Sequence, residues 1–162
     1  ADPAELLPRY NVFGLSNTAY RSDVLARCLP VPPQCVLFDW AIAVRAWMLG
    51  ARLGFDPTPE MWYRQHPANT ARVLQPFTPE QVLRAAEHVL VFYRGVLGAG
   101  DVVEPYRTTL ARAYERAATF HRTITQSTAV LARYVEGLNR LTPQYVWWWC
   151  IAHPDLEDVW RN

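Results

Sequence analysis

Residues 103, 106, 110, 113, 117, 120, 124, 127, 131, 134, 138 and 141 are Val, Tyr, Leu, Ala, Ala, Phe, Ile, Ser, Leu, Tyr, Leu and Leu. This alternating three-four spacing, broken only at Ser127, predicts helix with one buried stripe. An unbroken helix over this stretch would reach about 60 Å, longer than a compact domain of this size allows. The polar, β-branched run Thr123-Ile124-Thr125-Gln126-Ser127-Thr128 is the natural place for a kink or break. The flanking positions hold Arg107, Thr109, Tyr114, Arg116, His121, Thr123, Thr128 and Val130 rather than opposed charges, which disfavours a free coiled coil.

Residues 35–53 are apolar in almost every direction around a helix, the pattern of a central, mostly buried one. Residues 79–97 are helical and broadly apolar, and Gly98-Ala99-Gly100 closes them. Asp101 with Glu104 reads as a capping box for the next helix, giving an antiparallel hairpin 79–97/102–140. Thr58-Pro59-Glu60, Thr78-Pro79-Glu80 and Thr142-Pro143-Gln144 carry the same start signal: a threonine oxygen to cap, then a proline with no N–H to leave unpaired. Ser16 or Asn17 is placed to cap a helix running to about Cys28. Tyr145–Ile151 is expected as helix from its start signal, and Pro154–Trp160 as a last short turn. Residues 1–15, with Pro3, Pro8 and Gly14, read as an extended arm. No alternating strand pattern occurs. The expected fold is a single all-α domain, 1–162, of six or seven helices around the helix at 35–53. A set of helices around one apolar helix resembles in plan the apoptosis-regulator (Bcl-2-like) folds, without their Asn-Trp-Gly-Arg signature.

The 162 residues are 51% hydrophobic and 19% charged, with a formal net charge of +1. That is too apolar for a disordered chain, and no nucleic-acid partner and no transmembrane segment are expected. All sixteen basic residues are arginine. The bias fits a GC-rich coding genome and resembles the composition of GC-rich herpesvirus and poxvirus proteins, which would imply a viral host-interaction or structural protein. Escape from ubiquitin attachment is the sharper alternative, since that modification needs an ε-amine. The opening Ala1-Asp2-Pro3 lacks methionine, favouring a secreted, exported or virus-associated protein over a plain cytoplasmic one.

Cys28 and Cys35 bracket a proline-rich turn that could bring them within disulfide range, whereas Cys150, in an apolar run, is expected as a buried thiol. Zinc spacings, hydrolase and nucleotide motifs, and paired Glu-x-x-His are all missing from the sequence, so no catalytic residue, metal or cofactor is assigned. Asp39, near the start of the most apolar helix, and Arg45, which shares a narrow polar stripe with Arg52, are the candidate buried charges; a carboxylate at 39 must be paired with an arginine, capped or protonated. Trp147, Trp148 and Trp149 point about 100° apart on a helix, so at least one is expected at the surface. With Trp160, Trp62 and Tyr63 they form the candidate partner interface, unless the arm (Tyr10, Phe13, Leu15) covers them. The arginines at 107, 112, 116, 122, 133 and 140 read as a solvated face. The expected function is a non-enzymatic helical module that binds another protein or itself through an aromatic surface. The alternatives are a secreted helical-bundle ligand or decoy, which needs the Cys28–Cys35 bridge, and an enzyme whose His and Asp/Glu converge only in the fold.

Overall fold

The computed structural model describes residues 3–54, 56, 58, 62, 64, 69, 73–100, 102–144 and 146–161. Among these the chain forms seven α-helices: α1 (Pro3–Leu6), α2 (Ser22–Cys28), α3 (Phe38–Met48), α4 (Pro79–Leu97), α5 (Tyr106–Gln126), α6 (Thr128–Arg140) and α7 (Glu157–Trp160). A 3-10 turn, Pro154–Leu156, leads into α7. The fold is all-α, a helical bundle around one large apolar core.

The long periodic stretch breaks where its polar run lies. Ser127 takes an extended conformation, and its Oγ accepts from the Val130 N–H to cap α6. The three-four register carries on through the break, with Leu110, Ala117, Phe120 and Ile124 buried on α5 and Leu131, Tyr134 and Leu138 on α6. The Phe120 and Tyr134 rings lie 4.7 Å apart. Fourteen residues of straight helix would hold them about 21 Å apart, so the chain folds back at Ser127.

Helix α4 starts as its signal predicts. Thr78 Oγ1 accepts from Gln81 N at 3.3 Å and Gln81 Oε1 accepts from Thr78 N at 2.9 Å, a complete capping box ahead of Pro79. It packs as a hairpin against α5, with Tyr93 and Tyr114 edge to face at 6.2 Å. Helix α3 is buried over Trp40–Val44 and at Ala46, the most enclosed of the described helices, but it is shorter than 35–53. Cys35 N donates to Pro32 O in a turn at 2.9 Å, which delays the start. At the far end Gly50 N bonds Trp47 O and Ala51 N bonds Ala46 O, with Gly50 at φ +72. That is a Schellman cap requiring a left-handed residue, so Gly50 ends the helix before Gly54 is reached.

Four expectations need correcting, the first being the extended arm, in which Pro3–Leu6 forms α1. Neither Ser16 nor Asn17 caps α2: Asn17 N closes a turn onto Gly14 O, and the helix starts at Ser22. Residues 141–144 and 146–153 hold no helix despite the Thr142-Pro143 signal. Trp148 (φ 69) and Ala152 (φ 47) are both left-handed, and Asn11 pairs with Trp147 across a single antiparallel bridge. A bulky residue is strained there by about 1–2 kcal/mol, offset by the burial of the neighbouring indoles. The Thr58-Pro59-Glu60 helix start and Asp101 of the capping box lie outside the described residues. Helix α5 instead begins after Pro105, and the Glu104 carboxylate accepts from Thr108 N and Oγ1.

Candidate functional site

Of the six aromatic residues expected at an interface, the structure hides three. Trp148, Trp149 and Trp160 are buried and Trp147 is partly so. The reason is the left-handed kink at Trp148. Three consecutive tryptophans on one helix would point about 100° apart, whereas the left-handed turn at Trp148 lets Trp148 and Trp149 both face inward. Trp149 Nε1 donates to Val73 O at 2.9 Å, and its ring meets Phe77 and His153 edge to face. Trp160 lies beneath the guanidinium groups of Arg116 and Arg161. Trp62 is fully exposed at 101%, and Tyr63 lies outside the described residues. The arm covers much of the rest: Tyr10 and Phe13 pack on the core, whereas Leu15 is exposed.

Groups able to carry proton chemistry are bound into the fold. Tyr134 Oη donates to Cys150 O and accepts from His153 N, both at 2.9 Å. The His153 ring accepts from Asp155 N on Nδ1, so the neutral ring carries its proton on Nε2, 2.9 Å from the Gln144 side-chain amide. The Gln144 atom set against it is Nε2, and a 180° rotation of the amide would bring Oε1 to that proton instead. Burial lowers the His153 pKa below the ordinary 6.5; Asp155 opposes the shift, and Arg9 and Arg116 reinforce it. The fold therefore favours neutral imidazole. Its stabilising contribution is complete above the unfolded value of 6.5 and is lost as pH falls below it, because the unfolded chain then takes up a proton the native one resists. The urea midpoint is expected to fall between about pH 7.5 and about pH 5.5, with a shallower slope in His153→Gln. Equal slopes would remove His153 from the linkage. His88, whose pKa burial also lowers, and His121 sit apart on α4 and α5; His66 lies outside the described residues.

All three cysteines are buried free thiols, so the Cys28–Cys35 bridge is absent from this structure. Cys28 packs with Ile42 and Ala46, while Cys35 belongs to the main core. Burial raises the pKa of both, and that of Cys150 to about 12. Asp39 is half-buried in the first turn of α3. Desolvation raises its pKa, but Trp40 N (2.7 Å) and the Asn11 side chain donate to it. Its partners are a helix N-terminus and an amide, in place of the expected arginine. Arg45 is not buried with it: Arg45 Nη1 reaches instead to Pro30 O at 2.8 Å. Tyr20, facing Asp39 and Cys28, has its hydroxyl pKa pushed to about 12, chiefly by burial.

That Arg45 bond helps hold a turn that carries exposed apolar side chains. Residues 29–37 join α2 to α3 over a turn held at several points: Pro30 by Arg45, Pro32 against Gly95 of α4, and Cys35 and Leu37 in the core. Residues 35–38 alternate between buried and exposed where the chain bends into the first turn of α3, with Leu37 at φ −102 and ψ 55. Leu29, Val36 and Phe38 consequently face outward at 48%, 44% and 49% exposure.

Comparison with protein-family models, curated proteins and solved structures finds no match to this chain.

The sequence places a proline-rich turn here but not its outward face, because Cys35-Val36-Leu37-Phe38 are all apolar and their alternation leaves no trace in polarity. Among the arginines of the α5–α6 stretch, Arg116 binds Ala152 O and Glu157, Arg107 binds Val102 O and Leu97 O, and Arg140 pairs with Glu136. Arg9, Tyr10, Tyr93 and Arg116 line a cavity of about 20 Å³ between the arm, α4 and α5, room for about one water. Among the described residues no group of three or more His, Cys, Asp or Glu is placed to hold a metal ion, and no helix is long and apolar enough to cross a membrane.

Proposed function

We propose that the chain is a non-enzymatic helical module that binds another protein, with the α2–α3 turn as its contact surface. The observation that carries this reading is the outward set of Leu29, Val36 and Phe38 on a turn pinned by Arg45 and Pro32. A rigid apolar projection loses little conformational freedom when a partner covers it, so most of its burial is retained as affinity. The commitment of His153, Tyr134 and Cys150 to internal bonds and burial fits a scaffold whose polar groups serve folding. Trp62, fully exposed, is a second candidate contact.

The test compares the wild-type chain with the Val36→Ser/Phe38→Ser double variant as tagged baits in extracts of the source organism. Exposed side chains contribute little to stability, so the urea midpoint is expected to shift by no more than about 0.5 kcal/mol equivalent per site. A partner held by the wild type and lost by the folded variant supports the reading. Identical capture by both would count against it.

A further inference from the structure

Residues 3–15 lie on the rest of the protein in a way that reads their main chain more than their side chains. Trp40 Nε1 donates to Leu7 O at 2.7 Å, and the Tyr93 hydroxyl donates to Pro8 O. Trp147 N donates to Asn11 O at 2.9 Å and Trp147 O accepts from Asn11 N at 3.3 Å. Two side chains are taken deeply: Leu7 enters the main core, and Asn11 bonds both Phe13 N and the Asp39 carboxylate. The receiving surface comes from α3, α4 and the 146–152 segment. Its floor includes the Trp40–Phe92 stack, with ring centroids 4.0 Å apart and 9° between planes. Main-chain bonding with one or two side-chain pockets is the way sheet edges and grooves hold peptide segments supplied by another chain.

The connection onward has the character of a hinge. Between Leu15 and Arg21 the chain has no helix, and Leu15, Ser16, Asn17, Ala19 and Arg21 are exposed. Such a linker spans up to about 20 Å when extended. A well-anchored terminal segment followed by an exposed, irregular linker is the arrangement from which identical elements exchange between protomers.

We infer that the groove formed by Trp40, Tyr93, Asp39 and Trp147 also accepts residues 3–15 of a second copy, giving an arm-exchanged dimer. The bonds are the same in cis and in trans, so exchange makes no new contact and loses none. What opposes it is the effective concentration of the tethered arm, in the millimolar range for short linkers. Monomer therefore dominates in dilute solution, and dimer accumulates when chains refold together at high concentration. This interface uses residues distinct from Leu29, Val36 and Phe38, so it stands or falls separately from the turn.

The test is made on the full chain with a fluorescein-labelled peptide of residues 3–15. Leu7→Asp in the full chain unseats its own arm, and this variant is expected to bind the wild-type peptide at least about tenfold more tightly than the wild-type chain does. A peptide carrying Leu7→Asp is expected not to bind. Wild type refolded from urea at high concentration should show a dimer by analytical ultracentrifugation that Leu7→Asp abolishes and Val36→Ser/Phe38→Ser retains. If Leu7→Asp alone is unfolded, recovery of its helical circular dichroism on adding the peptide reports the same binding, and Asn11→Ser serves as the milder variant. Equal binding of both peptides, no binding by either variant, or a dimer indifferent to Leu7→Asp would each overturn the inference.

Discussion

Trp149→Ala is expected to lose about 3–5 kcal/mol of folding stability, the range for deleting a large buried aromatic. The side chain is fully enclosed, and truncation also strands the Val73 carbonyl and removes the edge contacts to Phe77 and His153. Natural domains are stable by only about 5–15 kcal/mol, so this one change takes a large share of the total. In urea denaturation the midpoint should drop sharply with an unchanged slope. Trp62→Ala, at a fully exposed position, should leave the midpoint near wild type. If Trp149→Ala were instead as stable as Trp62→Ala, the Trp149 indole would have to lie at the surface, and its placement in the core would be wrong.

Tyr134→Phe comes second. It removes one oxygen that holds two main-chain groups from the 150–153 segment, the Cys150 carbonyl and the His153 amide. A buried group left without its partner costs about 1–3 kcal/mol, so the two together lose roughly 2–6 kcal/mol although the ring itself still fits. The effect has a local signature. Amide exchange at His153 should speed up more than at Leu131 or Leu138, because the turn loses its anchor while α6 keeps its own ladder. A uniform change across all amides would mean that the hydroxyl contributes only through global stability.

Part of this architecture can be read directly from residue order. The Thr78–Pro79 cap, the hairpin that follows it and the break at Ser127 depend on groups within a few positions of each other. At Thr78 and Ser127 the local capping bonds form as residue order alone suggests. The same signal failed at Thr142-Pro143 because distant partners outweighed it: Tyr134, Asn11 and Val73 bond residues 147–153 from elsewhere in the chain. Trp149 and Tyr134 are the two positions where those partners matter most.

What the sequence determined by itself is the helical class, the start of α4 at Thr78-Pro79, the break at Ser127, and the three-four stripe that faces the core. Each depends on period and on local capping, which need no knowledge of neighbours. Which tryptophans are hidden, where Asp39 finds its donors, and which face of the proline turn looks outward were decided only in three dimensions. A consecutive Trp triplet is compatible with exposure or burial until the chain reverses direction at Trp148. An all-apolar stretch such as Cys35–Phe38 does not say which of its sides will meet water. Only packing against α4 and the arm breaks that symmetry, because burial is a property of the space between elements and not of any element alone.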